Sequence, residues 1–237
     1  MNSSSAYLEL LNAFEFAYAG RRIPLRLGGQ RLLALLALQK RGVYRVVAGE
    51  QLWPDCTSSR AAANLRSALC QVRRIRSETV VDSVGQRLRL APCVDLDLDR
   101  VRKTAQQVID GVRPLPADCD VLVDELKREL LPGWPDDWLM LERERWDQVR
   151  LHALESLAQQ LQGTQQYLPA LQAALTVIAI DPIRETGHRI IVEIHLAEGN
   201  IACALKRYHA YRELLQQELE VAPSQQMTRL VQEVISM

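Results

Sequence analysis

The chain has 237 residues, 48% of them apolar, with 29 Lys and Arg against 29 Asp and Glu, so its formal net charge is zero. That length and apolar content give one large or two modest domains, each with a core of its own, and exclude a disordered polypeptide. The longest apolar runs, such as Leu32 to Leu38, are too short to cross a bilayer, and the opening MNSSSAYLEL lacks the basic-then-apolar layout of a secretory signal; a cytoplasmic protein with no membrane partner is expected. Five scattered cysteines (Cys56, Cys70, Cys93, Cys119 and Cys203) form no C-x-x-C pair and read as reduced structural thiols. The neutral total hides an asymmetry. Residues 1–91 carry fourteen Lys and Arg against six acids, a surplus of eight positive charges that the remainder balances with eight negative ones. Attraction to nucleic acid follows the local field rather than the molecular sum, so the first part is the one suited to phosphates.

In chain order, Tyr7 to Leu27 reads as short strands: LELL, FEFAY and, after a turn at Ala19-Gly20, RRIPLRL. Phe14, Phe16 and Tyr18 alternate with Glu15 and Ala17, the period of a strand with one buried face. Gly28-Gly29 is expected to break the pattern before a leucine-dense, enclosed helix from Gln30 to Arg41 that Gly42 ends. VYRVV is a short extended piece, Ala48 to Trp53 a turn and a half of helix stopped by Pro54, and Thr57, Ser58 or Ser59 the cap of the next helix. That next helix, Arg60 to Arg76 (RAAANLRSALCQVRRIR), places Ala61, Leu65, Ala68, Leu69, Val72 and Ile75 on one stripe for burial. Arg60, Ala63, Ser67, Cys70 and Arg74 fall opposite, flanked by Arg66, Gln71 and Arg73. Small and polar side chains between arginine-bearing edges can approach a base-pair stack while the guanidinium groups reach phosphates or guanine edges.

TVVDSV and QRLRL then form a hairpin near Gly85, with Leu88 and Leu90 on one side and Arg87 and Arg89 on the other. A sheet, three helices with the longest last, and an arginine-faced hairpin are the element order of a winged helix-turn-helix. Arg60, Arg66, Ser67, Arg73 and Arg74 from the helix, with Arg87 and Arg89 from the wing, are the candidate DNA contacts. Arg31, Lys40 and Arg45 are weaker candidates for the DNA backbone, and the alternative for each arginine is a solvated or ion-paired surface residue.

The domain boundary is placed in APCVDLDLDRVRK, after residue 93, with Asp97 or Asp99 capping a helix that begins near Arg100. Beyond it the pattern is helical, at roughly 100–110, 120–130, 136–162, 167–179, 182–197 and 201–219, with a two-proline loop at 111–118. Ala170-Leu171 and Ala204-Leu205 are offset by 34 residues, as are Tyr167 and Ile201, and Ala174 and Tyr208, the period of tetratricopeptide helix pairs. Gly199-Asn200 makes the turn of the second pair, while its counterpart in the first is Gln165; Asp181-Pro182 is expected to open a helix as cap and first residue. Trp134, Trp138 and Trp146 read as core of this helical half, the alternative being an exposed anchor for a protein partner. His152, His188, His195 and His209 form no H-E-x-x-H or H-x-x-H, and there is no G-x-S-x-G elbow or nucleotide loop. No catalytic residue, metal or cofactor is therefore assigned, an enzyme is not expected, and Asp136-Asp137 read as helix-start acids.

LLALLAL, LWPD (Leu52 to Asp55), RAAANLRSAL followed by VRRIR, VDLDLDR (Val94 to Arg100), LLPGWPDDWLMLERER (Leu130 to Arg145), RLHALE (Arg150 to Glu155), AIDPIRE (Ala179 to Glu185), HLAEGN (His195 to Asn200) and ELEVAPS (Glu218 to Ser224) together resemble SARP-type transcriptional activators. LLPGWxDDW followed by ERER is specific to that family, and the resemblance spans nearly the whole chain. It implies a mostly α fold with an α+β N-terminal part: a winged helix-turn-helix at 1–93 and an all-α, tetratricopeptide-like bacterial transcriptional activator domain (BTAD) at 94–237. It further implies binding to double-stranded DNA at direct repeats near a promoter, self-association on DNA and recruitment of RNA polymerase. Cys70 departs from the bulky aromatic that similar sequences often carry, and Gln86 from the family's Gly-Tyr pair in the wing. Larger relatives append a nucleotide-binding module; with no G-x-x-x-x-G-K-[ST] run and no room for a receiver domain, ATP- or phosphorylation-driven control within this polypeptide is not expected. The alternative reading is a helical-repeat adaptor or ligand-sensing scaffold whose N-terminal half only docks; counterion release separates the two, because binding to DNA falls steeply with salt.

Overall fold

A computed structural model describes residues 6–75, 78–111, 115 and 118–235. The chain divides into two compact units, the first comprising residues up to Val101 together with Arg128–Arg145, the second Arg102–Lys127 and Trp146 onward.

The first unit opens with strands β1 (Ala6–Glu9), β2 (Glu15–Tyr18) and β3 (Arg21–Arg22), followed by helix α1 (Leu27–Leu38), β4 (Val43–Tyr44), α2 (Arg45–Leu52) and α3 (Ser58–Val72). The short strands β5 (Arg74–Ile75) and β6 (Glu78–Thr79) precede the hairpin β7 (Val81–Val84) and β8 (Arg87–Leu90), and β9 (Val94–Leu96) leads into α4 (Asp97–Ile109). One sheet has the order β3-β2-β1-β9, with β9 parallel to β1 and the other pairs antiparallel. A second has the order β4-β8-β7 and is the wing; Leu88 is fully buried while Arg87 and Arg89 are exposed, as the alternation requires.

Gly28-Gly29 does not break α1 but lies inside its first turn. A Cβ at Gly29 would stand 2.6 Å from Gln71 Oε1 and 2.9 Å from Val72 Cγ1, both on α3, so the bare backbone is what lets the two helices close. Leu32, Leu33, Leu35 and Leu36 are buried, each contributing roughly 1.5–3 kcal/mol. The stripe from Ala61 through Ile75 is buried at all six expected positions. The helix carrying it is nevertheless shorter than expected: α3 ends at Val72, and Arg74 and Ile75 belong to β5. Helix α2 begins at Arg45 rather than Ala48, and Thr57 occupies the N-cap position of α3 without a side-chain capping bond.

The compact units do not follow a single cut after residue 93. Strand β9 pairs with β1, and the Asp97 carboxylate accepts hydrogen bonds from the amides of Leu10 (3.0 Å), Leu11 (2.9 Å) and Leu98 (2.6 Å). The stretch beginning at Arg128 is tied to the same turn by Asn12 N donating to Glu129 O (2.8 Å) and Leu131 N to Leu10 O (2.9 Å). Asp136 is buried, ion-paired with Arg31 and hydrogen-bonded by Trp138 Nε1 (3.1 Å), so it is a structural acceptor. Arg143 donates to the carbonyls of Leu130 (3.0 Å), Leu131 and Trp134 (3.0 Å). Trp134 and Trp138 therefore belong to the first unit and are only half-buried, a correction to the expectation that both fill the helical core.

The second unit takes α4 from residue 102 on, α5 (Cys119–Leu126), α6 (Met140–Gly163) from residue 146 on, α7 (Tyr167–Ile180), α8 (Glu185–Ala197), α9 (Ile201–Leu219) and α10 (Gln225–Ile235). Trp146 is fully buried here. The 34-residue offset is real in space: α7 and α9 start at Tyr167 and Ile201, Ala170 and Ala204 are both buried, and the preceding turns place Gln165 at φ 60° and Gly199 at φ 77°. Asp181 ends α7 instead of capping α8, which starts only at Glu185; its carboxylate accepts from Ile183 N (3.3 Å) in the intervening turn. Helix α10 was not evident from the sequence, and its Met227 and Val231 complete a core with Val192, Ala204, Tyr208, Tyr211 and Leu215. Glu155 and Arg184 form a two-bond ion pair at 2.5 and 3.0 Å. His188 stacks on Tyr211, with ring centroids 4.2 Å apart, and bonds Pro182 O through Nε2 (2.9 Å). Burial pushes the Tyr211 hydroxyl up to about 12.

Two outcomes follow from this packing. Asp97→Ala strands three amide donors where the carboxylate was, and should lower stability by on the order of 3 kcal/mol, with Asp97→Asn recovering part of the loss in thermal melts. Burial, reinforced by Arg207 and opposed by Pro182 O and Glu185, holds the His188 imidazole below its ordinary 6.5. The unfolded chain then takes up a proton first, so the stabilisation is complete above 6.5 and is lost as pH falls toward the lower folded value. Denaturant midpoints measured at about pH 7.5 and about pH 5.5 should diverge in the wild type and diverge less in His188→Asn.

Candidate nucleic-acid interface

The buried stripe fixes the rotation of α3, and the opposite face is left to solvent: Arg60, Ala62, Arg66, Ser67, Cys70 and Arg73 are all exposed. Arg73 closes the helix, its amide donating to Leu69 O (2.8 Å) while its carbonyl accepts from Val80 N (3.0 Å), so its backbone is held from both sides. The wing adds a neighbour that the helical pattern does not predict. Val43 and Tyr44 pair with Leu88 and Arg87, Arg45 N donates to Gln86 O (2.9 Å), and Arg45 Nη2 donates to Ser83 Oγ (3.2 Å). These bonds set Arg45 across from α3, where Arg45, Arg66, Leu69, Cys70 and Arg73 border a cleft of about 590 Å³.

Three guanidinium groups and no carboxylate border this cleft. Among the described residues Arg60, Arg66 and Arg73 make no ion pair, so their charge is available to an anion. A second pocket of about 310 Å³, touched by Arg45, Gly49, Glu50, Ser58, Arg66 and Gln86, continues it toward the start of α3.

The remaining candidates divide. Arg74 lies in β5, paired in register with Thr79, and so leaves the helical face to which the sequence assigned it; its side chain is outside the described residues. Arg87 lies over the Tyr44 ring, 4.8 Å from its centroid, and remains exposed. Arg89 stands opposite Asp82 in the hairpin and pairs with it at 3.4 Å; both are partly exposed, and such a pair stabilises by no more than about 1 kcal/mol. Of the weaker candidates, Arg31 is committed to Asp136 and Lys40 pairs with Asp99 at 2.6 Å, whereas Arg45 joins the cleft. The missed signal for Arg45 is its place directly after β4, which the register to β8 carries to the root of the wing. Among the described residues no group of three His, Cys, Asp or Glu side chains is placed to hold a metal, and no helix is long and apolar enough to cross a membrane.

The architecture is a winged helix-turn-helix followed by a tetratricopeptide-like helical unit. Residues 123–235 match the bacterial transcriptional activator domain family, a range that includes Arg128–Arg145 of the first unit. No curated protein matches the chain. Among solved structures it is similar to Mycobacterium tuberculosis EmbR in complex with a low affinity phosphopeptide, with a TM-score of 0.79 at 16% identity. The alignment covers 98% of this chain and 65% of that one, so the chain spans about two thirds of the EmbR length. The family match over residues 123–235, with the winged unit ahead of it, is similar to the SARP-type arrangement that the motifs resemble.

Replacing Arg66 or Arg73 by Ala should weaken duplex binding and reduce the slope of log affinity against log salt by about one per residue if the contact is to phosphate. Arg89→Ala, already neutralised in part by Asp82, should change the slope least in the same salt titrations.

Proposed function

We propose that the chain is a sequence-specific DNA-binding transcription activator acting in the cytoplasm, in which α3 enters the major groove and the wing lies along an adjacent backbone. The observation that carries this reading is the cleft bordered by Arg45, Arg66 and Arg73 without a carboxylate, on the exposed face of a helix whose other face is fully packed. Arg60, Ser67, Arg74, Arg87 and Arg89 extend the contact along the helix and into the wing. The small residues Ala62 and Ser67 leave the helix axis free to come close to base edges. The surplus of eight positive charges in residues 1–91 supplies the long-range attraction that the neutral total does not. Copies sit on direct repeats, and the helical domain contacts a neighbouring copy or RNA polymerase.

The test is footprinting and electrophoretic mobility shift on the DNA upstream of its own gene. Protection of two direct repeats spaced by about one helical turn or a multiple, with affinity at least about a thousandfold above that for random duplex, is the expected result. Affinity equal to that for random duplex refutes sequence-specific recognition, and partner binding that barely responds to salt favours a helical-repeat adaptor instead.

A further inference from the structure

The first unit contains a larger cavity that the DNA-binding reading does not use. It measures about 740 Å³, within the size range of small-molecule sites, and opens between the start of α1, the connection from α2 to α3, and the loop Gly133–Trp138. Three half-buried tryptophans border it: Trp53, Trp134 and Trp138. Two are held in place. Phe14 stacks on Trp134 at 5.9 Å between ring centroids, and Trp138 is tethered through Nε1 to Asp136. Large apolar rings fixed in place yet left partly uncovered are surfaces for another flat ring.

The polar groups on the walls define the rest of the occupant. Gln51 Oε1 is sealed from solvent and offers the occupant no acceptor. Arg31, the lining cation, is already engaged by Asp136. Asp55 and Asp137 are exposed at the rim and form no ion pair with any described residue, so the mouth carries excess negative charge. Carboxylates outside and indole faces inside select a cation, since ammonium groups are attracted both by carboxylates and by ring faces.

We propose that this cavity is a binding site for an aromatic amine carrying a protonated ammonium group. The ring lies among Trp53, Trp134 and Trp138, and the positive charge faces Asp55 and Asp137. The site is independent of the cationic cleft, and its occupancy can be measured without DNA. It is also placed to be felt by α3, because Trp53 to Cys56 on its wall run directly into the Ser58 start of that helix.

Isothermal titration of the full chain with tryptamine tests this, with indole-3-acetate, the same ring system bearing the opposite charge, as the comparison. Tryptamine should bind saturably with one site per chain, and at least about tenfold more tightly than indole-3-acetate. Asp55→Asn combined with Asp137→Asn, both at exposed positions, should abolish the preference between the two probes. Absence of saturable tryptamine binding overturns the site. Equal affinity for both probes overturns the cationic class.

Discussion

The Asp97 carboxylate accepts the amides of Leu10 and Leu11 as well as that of Leu98, and by doing so fastens the end of β9 to the end of β1. Burial pushes its carboxyl up, against the pull of the three amides, and the group sits 1% exposed at the start of α4. The turn it organises is the same one that receives Glu129 and Leu131 from much later in the chain. Leu131 adopts φ 45° and Gly133 φ 76°, and Arg143 gathers the carbonyls those turns leave without helical partners. The turn that this buried acceptor fastens, through Leu10 O and Asn12 N, thus joins two stretches separated by more than two dozen residues.

Charge on this molecule is sorted by pairing rather than by amount. Arg31, Arg143, Arg150 and Arg184 are spent inside their own units, on Asp136, on carbonyls, on Asp147 with Lys127 O, and on Glu155. Arg45, Arg66 and Arg73 are left facing water together. A desolvated guanidinium without a partner is far more costly than a solvated one, so the structure keeps unpaired arginines on the surface, where an incoming anion meets no competing carboxylate.

Much of the first unit was legible because periodicity is local. The buried stripe of α3, the hairpin around Gly85 and the leucine-rich α1 each follow from spacing alone. What escaped depends on partners distant in sequence. Gly28 and Gly29 look like a break until Trp53 and Ala68 arrive beside the first and Gln71 and Val72 beside the second; Arg74 looks helical until Thr79 pairs with it; and Asp136 looks like a cap until Arg31 reaches it. Helix α10 was hidden for a related reason: its buried Met227 and Val231 find their partners on α8 and α9. At the candidate interface the exposed arginines of α3 were evident, while Arg45 required the strand register that brings the wing's root to the helix.

The discontinuous first unit bears on how the protein can be dissected. An isolated piece cut after residue 93 would keep α3 and the wing but lose β9, leaving β1 with an unpaired edge that invites association with other chains. It would also shed the acceptor for Leu10 and Leu11 and the carboxylate that engages Arg31. The compact unit that carries α3 and the wing extends to Arg145, so the motif LLPGWPDDW is part of the scaffold on which α3 rests.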